Sequence, residues 1–109
     1  MSTIAHTYRF VVGVDTHARN HVYAITTNIG EVIDTRTFPT SNSGINRAMN
    51  WVARRTNDTP EILWVIEGAA SYGALLTAAV TTCGFRVAEA PQLGRHLAAG
   101  KGKTDTLDA

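Results

Sequence analysis

A chain of 109 residues with 44% hydrophobic and 17% charged side chains has room for one compact domain, and this composition excludes an intrinsically disordered chain. Ten basic and nine acidic side chains give a formal net charge of +1, so the overall charge does not predict nucleic-acid binding. The single cysteine excludes an intrachain disulfide, and without a signal-peptide pattern or a long apolar run we expect a cytoplasmic protein with no membrane partner.

The first three elements are predicted to be strands that form a meander. Residues 9–15 (RFVVGVD) are rich in β-branched side chains and end in an acid. Residues 21–27 and 31–38 alternate apolar and polar side chains, which is the period of a strand with one buried face. Because residues 28–30 (NIG) form a short connection with a glycine, these two strands are expected to pair as an antiparallel hairpin.

Two helices are predicted further along the chain. After Pro39, residues 40–43 offer several N-cap side chains, and the first helix is expected to end near Arg55. Its apolar face is predicted to carry Ile45, Ala48, Met49 and Val52. The second helix is predicted over residues 72–82, with Ser71 as its N-cap. Its inner face is predicted to carry Leu75, Leu76, Ala79 and Val80.

Two more strands complete the predicted fold. Residues 61–66 (EILWVI) are apolar after the first position, which is typical of a strand covered on both faces, and residues 85–88 form the fifth strand. The order β-β-β-α-β-α-β predicts a mixed five-stranded sheet with flanking helices, the RNase H-like order with its last helix missing or truncated. Actin-like and sugar-kinase ATPase domains share this order, so the fold does not decide the chemistry.

Residues near the second helix complete these expectations. Gly84 is the expected C′ residue after the helix. Cys83 is expected to be a small buried side chain at the helix end.

His17 and His21, which flank the loop after the first strand, are interpreted as surface or turn histidines, because no further ligands suggest a zinc site.

Four acids stand at informative positions. Asp15 ends the first predicted strand and Glu67 follows the fourth, and these strands are expected to be parallel neighbours. Both carboxylates would then lie at the sheet edge where open α/β sheets bind ligands. Asp105 and Asp108 have i, i+3 spacing and share one face if their segment is helical. Each acid alone also fits an ordinary strand-end, turn or helix-cap residue.

Together, these four carboxylates point to a metal site. They would repel one another strongly unless cations neutralised them. Mg²⁺ accepts hard oxygen ligands and keeps positions open for phosphate and water, and two such ions can clamp the attacking and leaving oxygens of a phosphoryl transfer.

Residues 100–103 (GKGK) lack the frame of a P-loop, and are interpreted as a basic loop that reaches a nucleic-acid backbone or as a plain solvated loop.

Three segments together carry a family resemblance: GVDTHARNHVYAI, WVIEGAASYGALL and VAEAPQLGRHLAAGKGKTDTLDA. They resemble the DEDD-type insertion-sequence transposases, relatives of the Piv and MooV invertases. The resemblance covers nearly all of the chain. It implies that residues 1–109 are the RuvC-like N-terminal domain of a DNA transposase or recombinase. It further implies that Asp15, Glu67, Asp105 and Asp108 are catalytic ligands of Mg²⁺ or Mn²⁺.

The resemblance also implies partners outside this chain. These are DNA, a guide or bridge RNA, and a C-terminal domain with a serine nucleophile, without which the fragment is expected to be inactive alone. A homo-oligomer is expected. One alternative is an actin-like nucleotide-binding module, which residues 16–20 disfavour because they contain no glycine for a phosphate loop. An inert nucleic-acid-binding or oligomerisation module stays open.

Overall fold

Alternating apolar residues build a five-stranded sheet, and two helices pack on it. The computed structural model describes residues 8–90. Its strands are β1 (Phe10–Asp15), β2 (Asn20–Thr27), β3 (Val32–Pro39), β4 (Ile62–Glu67) and β5 (Arg86–Ala90), and its helices are α1 (Asn42–Arg55) and α2 (Ala74–Thr82). The predicted order of elements is therefore confirmed. Neither helix in this part of the chain is long and apolar enough to cross a membrane.

The strand order across the sheet is β3-β2-β1-β4-β5. β2 pairs antiparallel with both β1 and β3, whereas β4 pairs parallel with β1 and β5. The hairpin between β2 and β3 turns at Gly30, whose φ of 93° lies in the left-handed region that favours glycine. This mixed sheet agrees with the predicted RNase H-like architecture, including the parallel pairing of the first and fourth strands.

The hydrophobic core lies between one face of the sheet and both helices. Tyr23 is at its centre and makes edge-to-face contacts with Phe38, Trp51 and Trp64, with ring centroids 5.8, 6.5 and 6.4 Å away. α2 contributes the fully buried Leu76 and Val80. Each large apolar side chain buried in this way contributes about 1.5–3 kcal/mol to stability, and the core therefore holds the sheet to its helices.

The strand β4 differs from its prediction on one face. Ile62, Trp64 and Ile66 are buried, but Leu63 and Val65, which alternate with them, are only half-buried. The reason is that α1 and α2 pack on the same face of the sheet and join one core cluster. The expectation that β4 is covered on both faces therefore holds for one face only within residues 8–90.

The helix α1 begins as its sequence predicts. Ser41 is the N-cap, and its side chain accepts a hydrogen bond from the Gly44 amide at 3.1 Å. Any side chain at position 44 would overlap the carbonyl oxygen of Pro39, so glycine lets the chain turn closely from β3 into the helix. The buried face includes Ile45, Ala48 and Val52 as predicted, together with Trp51.

The helix α2 starts later than predicted, and three assignments around it were wrong. Its N-cap is Gly73, whereas Ser71 lies in the preceding turn and donates its hydroxyl to the carbonyl of Gly68 at 3.2 Å. Leu75 is 52% exposed, because the inner face of α2 is formed by the buried Leu76 and Val80 and the partly buried Ala79. Cys83 is exposed, because it is the C-cap residue, where the chain leaves the helix.

Candidate active site at the sheet edge

Two of the predicted acids meet at the carboxyl end of the parallel strands. Val14 of β1 pairs with Ile66 of β4, and the next residues, Asp15 and Glu67, are the last residues of their strands. Neighbouring strands lie about 4.8 Å apart, and alternation directs both acids to the sheet face opposite Val14 and Ile66. Neither α1 nor α2 covers that face. The structure thus brings Asp15 and Glu67 to one edge, as their positions in the sequence predicted.

A hydrogen bond joins the two strand ends. The hydroxyl of Thr16 donates to the backbone carbonyl of Glu67 at 2.6 Å. Gly73 packs closely behind this bond, since a β-carbon there would lie 2.8 Å from Ile66 Cγ2 and 3.1 Å from Thr16 Cγ2. Thr16 therefore fixes the backbone of one acid relative to the other. Sequence reasoning missed this residue, although a hydroxyl directly after a strand-end acid is a usable signal.

His17 lies beside the first acid. Its Nε2 is 3.2 Å from Oδ2 of Asp15, and both side chains are more than half exposed, at 58% and 59%. An exposed pair of this kind contributes little to stability because water screens it. Its consequence is local, since the imidazole restricts the orientations of the Asp15 carboxylate at the sheet edge.

His21 is a core residue, and its interpretation as a surface or turn histidine was wrong. It is fully buried, and its Nδ1 accepts a hydrogen bond from the His17 amide at 3.3 Å. The reason is register: β2 begins at Asn20, so His21 alternates onto the same inward face as Tyr23 and Ile25. Burial and, secondarily, the nearby His17 lower the pKa of the His21 imidazole from its ordinary value of 6.5.

The buried imidazole predicts a loss of stability in mild acid. Because the folded pKa of His21 is lowered, the unfolded chain binds the extra proton first. The stability from the neutral ring is complete above pH 6.5 and falls as the pH drops towards the folded pKa. Denaturant unfolding between about pH 7.5 and pH 5 should show this slope in the parent chain. His21→Leu should lack it and His17→Gln should keep it; equal slopes in the parent and His21→Leu would contradict the assignment.

The other two predicted acids, Asp105 and Asp108, lie outside the described residues, as do the basic residues 100–103. Within residues 8–90, no group of three or more histidine, cysteine, aspartate or glutamate side chains is arranged to hold a metal ion. The described part of the chain therefore supplies two carboxylates, Asp15 and Glu67, to the candidate site.

Comparison with known proteins identifies the family. Residues 12–109 match the sequence profile of the IS110-type DEDD family, which is described as a transposase. The chain belongs to the IS110-type DEDD transposase family. No curated protein matches the chain. Membership confirms the family predicted from the three sequence segments, makes the chain a transposase domain, and implies that its substrate is DNA.

Proposed function

We propose that residues 1–109 are the metal-binding N-terminal domain of a transposase that cleaves and rejoins DNA by Mg²⁺-assisted phosphoryl transfer. The observation that carries this proposal is the position of Asp15 and Glu67, which end adjacent parallel strands in the transposase fold. Ligand sites in open α/β sheets lie at this edge. Family resemblance adds Asp105 and Asp108 as the remaining carboxylates.

The chemistry of these side chains fits a divalent cation. Carboxylate oxygens are the hard ligands that Mg²⁺ and Mn²⁺ accept. Asp15 is exposed and Glu67 is half-buried, so a metal and a phosphate could reach both residues at the edge. When bound there, the cation would neutralise charge on the phosphate and favour ionisation of the attacking oxygen.

The residues of the chain would provide position and charge for this reaction. Asp15 and Glu67 would hold the cation from two strand ends whose backbones the Thr16 hydroxyl joins. Because a misplacement of about 1 Å can cost a hundredfold in rate, a fixed pair of strand ends is a suitable base for the reacting groups. His17, next to Asp15, would restrict the rotation of its carboxylate.

The partners of the reaction belong to the same proposal. A guide or bridge RNA would select the DNA, a second domain would supply the serine nucleophile, and the transposase would act as a homo-oligomer. These features follow from the family resemblance. Residues 1–109 on their own would then bind divalent cations weakly and would not recombine DNA, because the proposed serine nucleophile belongs to the second domain.

A cleavage assay of the full-length transposase tests the proposed function. The protein is incubated with its guide RNA and an element-end DNA, and strand cleavage is followed on a gel. Cleavage should require Mg²⁺, stop when the metal is chelated, and return with Mn²⁺. A substrate with sulfur in place of a non-bridging oxygen at the cleaved phosphate should react better with Mn²⁺ than with Mg²⁺, because sulfur is a softer ligand. Cleavage that continues after complete chelation would refute a metal-assisted reaction.

A further inference from the structure

Three arginines border one cavity between α1 and the edge strand β3. The cavity has a volume of about 240 Å³ and is lined by Arg36, Phe38, Arg47, Asn50 and Arg54. We call these three arginines, Arg36, Arg47 and Arg54, the arginine cluster. All three are exposed, and no acid lines the cavity. Three like charges around one concave surface favour an anionic ligand.

The arginine cluster is partly ordered by the core. The guanidinium of Arg36 lies 5.2 Å and that of Arg47 lies 5.8 Å from the centre of the Phe38 ring, which is buried. Contacts of this kind hold a cation over an aromatic ring and reduce the entropy lost when a ligand binds.

The neighbouring Arg55 shows the contrast. Its Nε lies 3.2 Å from Oδ2 of Asp34, so this arginine has an acidic partner. None of the three cluster arginines makes an ion pair among the residues described. Arg55 is therefore paired with an acid, whereas the three arginines around the neighbouring cavity are not. The cavity consequently stays positively charged. A guanidinium suits phosphate, because its planar donors can form two parallel hydrogen bonds to phosphate oxygens.

The cluster lies on the face of the sheet that the helices cover. Arg36 pairs with Tyr23 across β3 and β2, and Tyr23 pairs with Val14 of β1. Two strand spacings separate Arg36 from Val14, which is about 10 Å between backbones. Arg47 and Arg54 extend this positive surface along α1 by about 10 Å, since they are seven residues apart in a helix. Asp15 follows Val14 and points to the opposite face of the sheet, so the cluster is a surface separate from the acid edge.

We propose that the arginine cluster binds the phosphodiester backbone of a nucleic acid and holds it along the α1 side of the domain. The cluster contacts phosphates only, so it contributes affinity and orientation without reading the base sequence. The proposal uses the DNA substrate implied by the family but does not depend on the metal site. Duplex DNA, single-stranded DNA and RNA share the phosphodiester chemistry, and the test separates them.

The test measures binding of each nucleic acid to this chain as a function of salt. Fluorescein-labelled duplex DNA, single-stranded DNA and hairpin RNA are titrated separately in EDTA, so that the metal site takes no part. The variant is Arg47→Gln with Arg54→Gln, and the matched control is Arg9→Gln with Arg86→Gln. The control arginines are also exposed, but they lie at the starts of β1 and β5, which is the edge of the sheet opposite the acids. Both double variants remove the same charge.

The cluster variant should weaken binding of the natural nucleic-acid partner by about tenfold or more at 0.1 M salt. The slope of log K against log salt should fall by about 1.8 for a duplex or 1.4 for a single strand, because two phosphate contacts are lost. The control should change little, and Arg47→Lys with Arg54→Lys should keep most of the slope. The nucleic acid with the largest loss identifies the partner.

Three results would overturn the proposal: no binding of any nucleic acid at low salt, equal losses in the cluster and control variants, or an unchanged slope in a folded cluster variant. Thermal unfolding of each variant checks that it is folded. These outcomes are distinct from a failure of the proposed function, because a protein without metal-dependent cleavage could still bind through the cluster. Conversely, cleavage that requires Mg²⁺ with no contribution from the arginines would refute only the cluster proposal.

Discussion

Asp15→Asn and Glu67→Gln should each reduce recombination by the full-length transposase by about a thousandfold or more. Each change keeps the size of the side chain but removes the negative charge that would hold the cation. Metal assistance contributes several kcal/mol to the transition state of such reactions, and each 1.4 kcal/mol is a tenfold change in rate. The measurement is excision or strand exchange with the guide RNA and Mg²⁺, followed over time.

The control for these variants lies next to the strand that carries Glu67. Glu61 is an exposed acid immediately before β4, at the end of that strand opposite Glu67. Glu61→Gln removes the same charge next to the same strand and should leave recombination nearly unchanged. All three variants should keep their free energy of unfolding within about 0.5 kcal/mol, as is usual for substitutions outside the core. Near-normal recombination by a folded Asp15→Asn protein would contradict the role proposed for this acid.

The sheet was predictable because its signals are local and agree with each other. Alternation in β2 and β3, the uninterrupted apolar run in β4 and the glycine-containing turn between β2 and β3 each indicate one element. The order of those elements then implied that β1 and β4 are parallel neighbours, as observed. For this reason the meeting of Asp15 and Glu67 at one edge could be expected from the sequence.

The errors occurred where tertiary contacts decide between local alternatives. Ser71 is a good N-cap side chain, but the turn after β4 uses its hydroxyl, and Gly73 takes the cap position. Leu75 has the right apolar character for the inner face of α2, yet the helix turns it towards solvent. His21 was assigned to the surface as a polar residue at the start of its strand, although it alternates with Tyr23 and Ile25 and shares their buried face.

The arginine cluster could not be inferred from charge. The formal net charge of the whole chain is only +1, so the composition hides any local concentration. Arg36 is in β3 and the other two arginines are in α1, and only the packing of that helix against the sheet brings them around one cavity. The role of Thr16 was missed for a similar reason, since the carbonyl that accepts its hydrogen bond belongs to Glu67, 51 positions away in the sequence.

Trp64→Ala should have the largest effect on stability. Trp64 is 1% exposed, and its ring centroid lies 6.4 Å from that of Tyr23 and 6.2 Å from that of Phe85. Truncation would remove buried apolar surface and leave a cavity between β4 and its neighbours, at a cost of about 3–5 kcal/mol. The melting temperature should fall by more than about 10 °C, because each kcal/mol shifts a domain of this size by several degrees.

Tyr72→Ala is the matched control for the loss of an aromatic ring. Tyr72 is 62% exposed in the turn before α2, so its truncation should change the free energy of unfolding by about 0.5 kcal/mol or less. Trp64→Phe should cost less than Trp64→Ala, since it keeps a ring against Tyr23 and leaves a smaller cavity. Denaturant unfolding followed by circular dichroism gives all three values. Equal stability of the two alanine variants would mean that the Trp64 ring is not packed between Tyr23 and Phe85. The packing that holds β4, the strand ending at Glu67, in the sheet would then be absent.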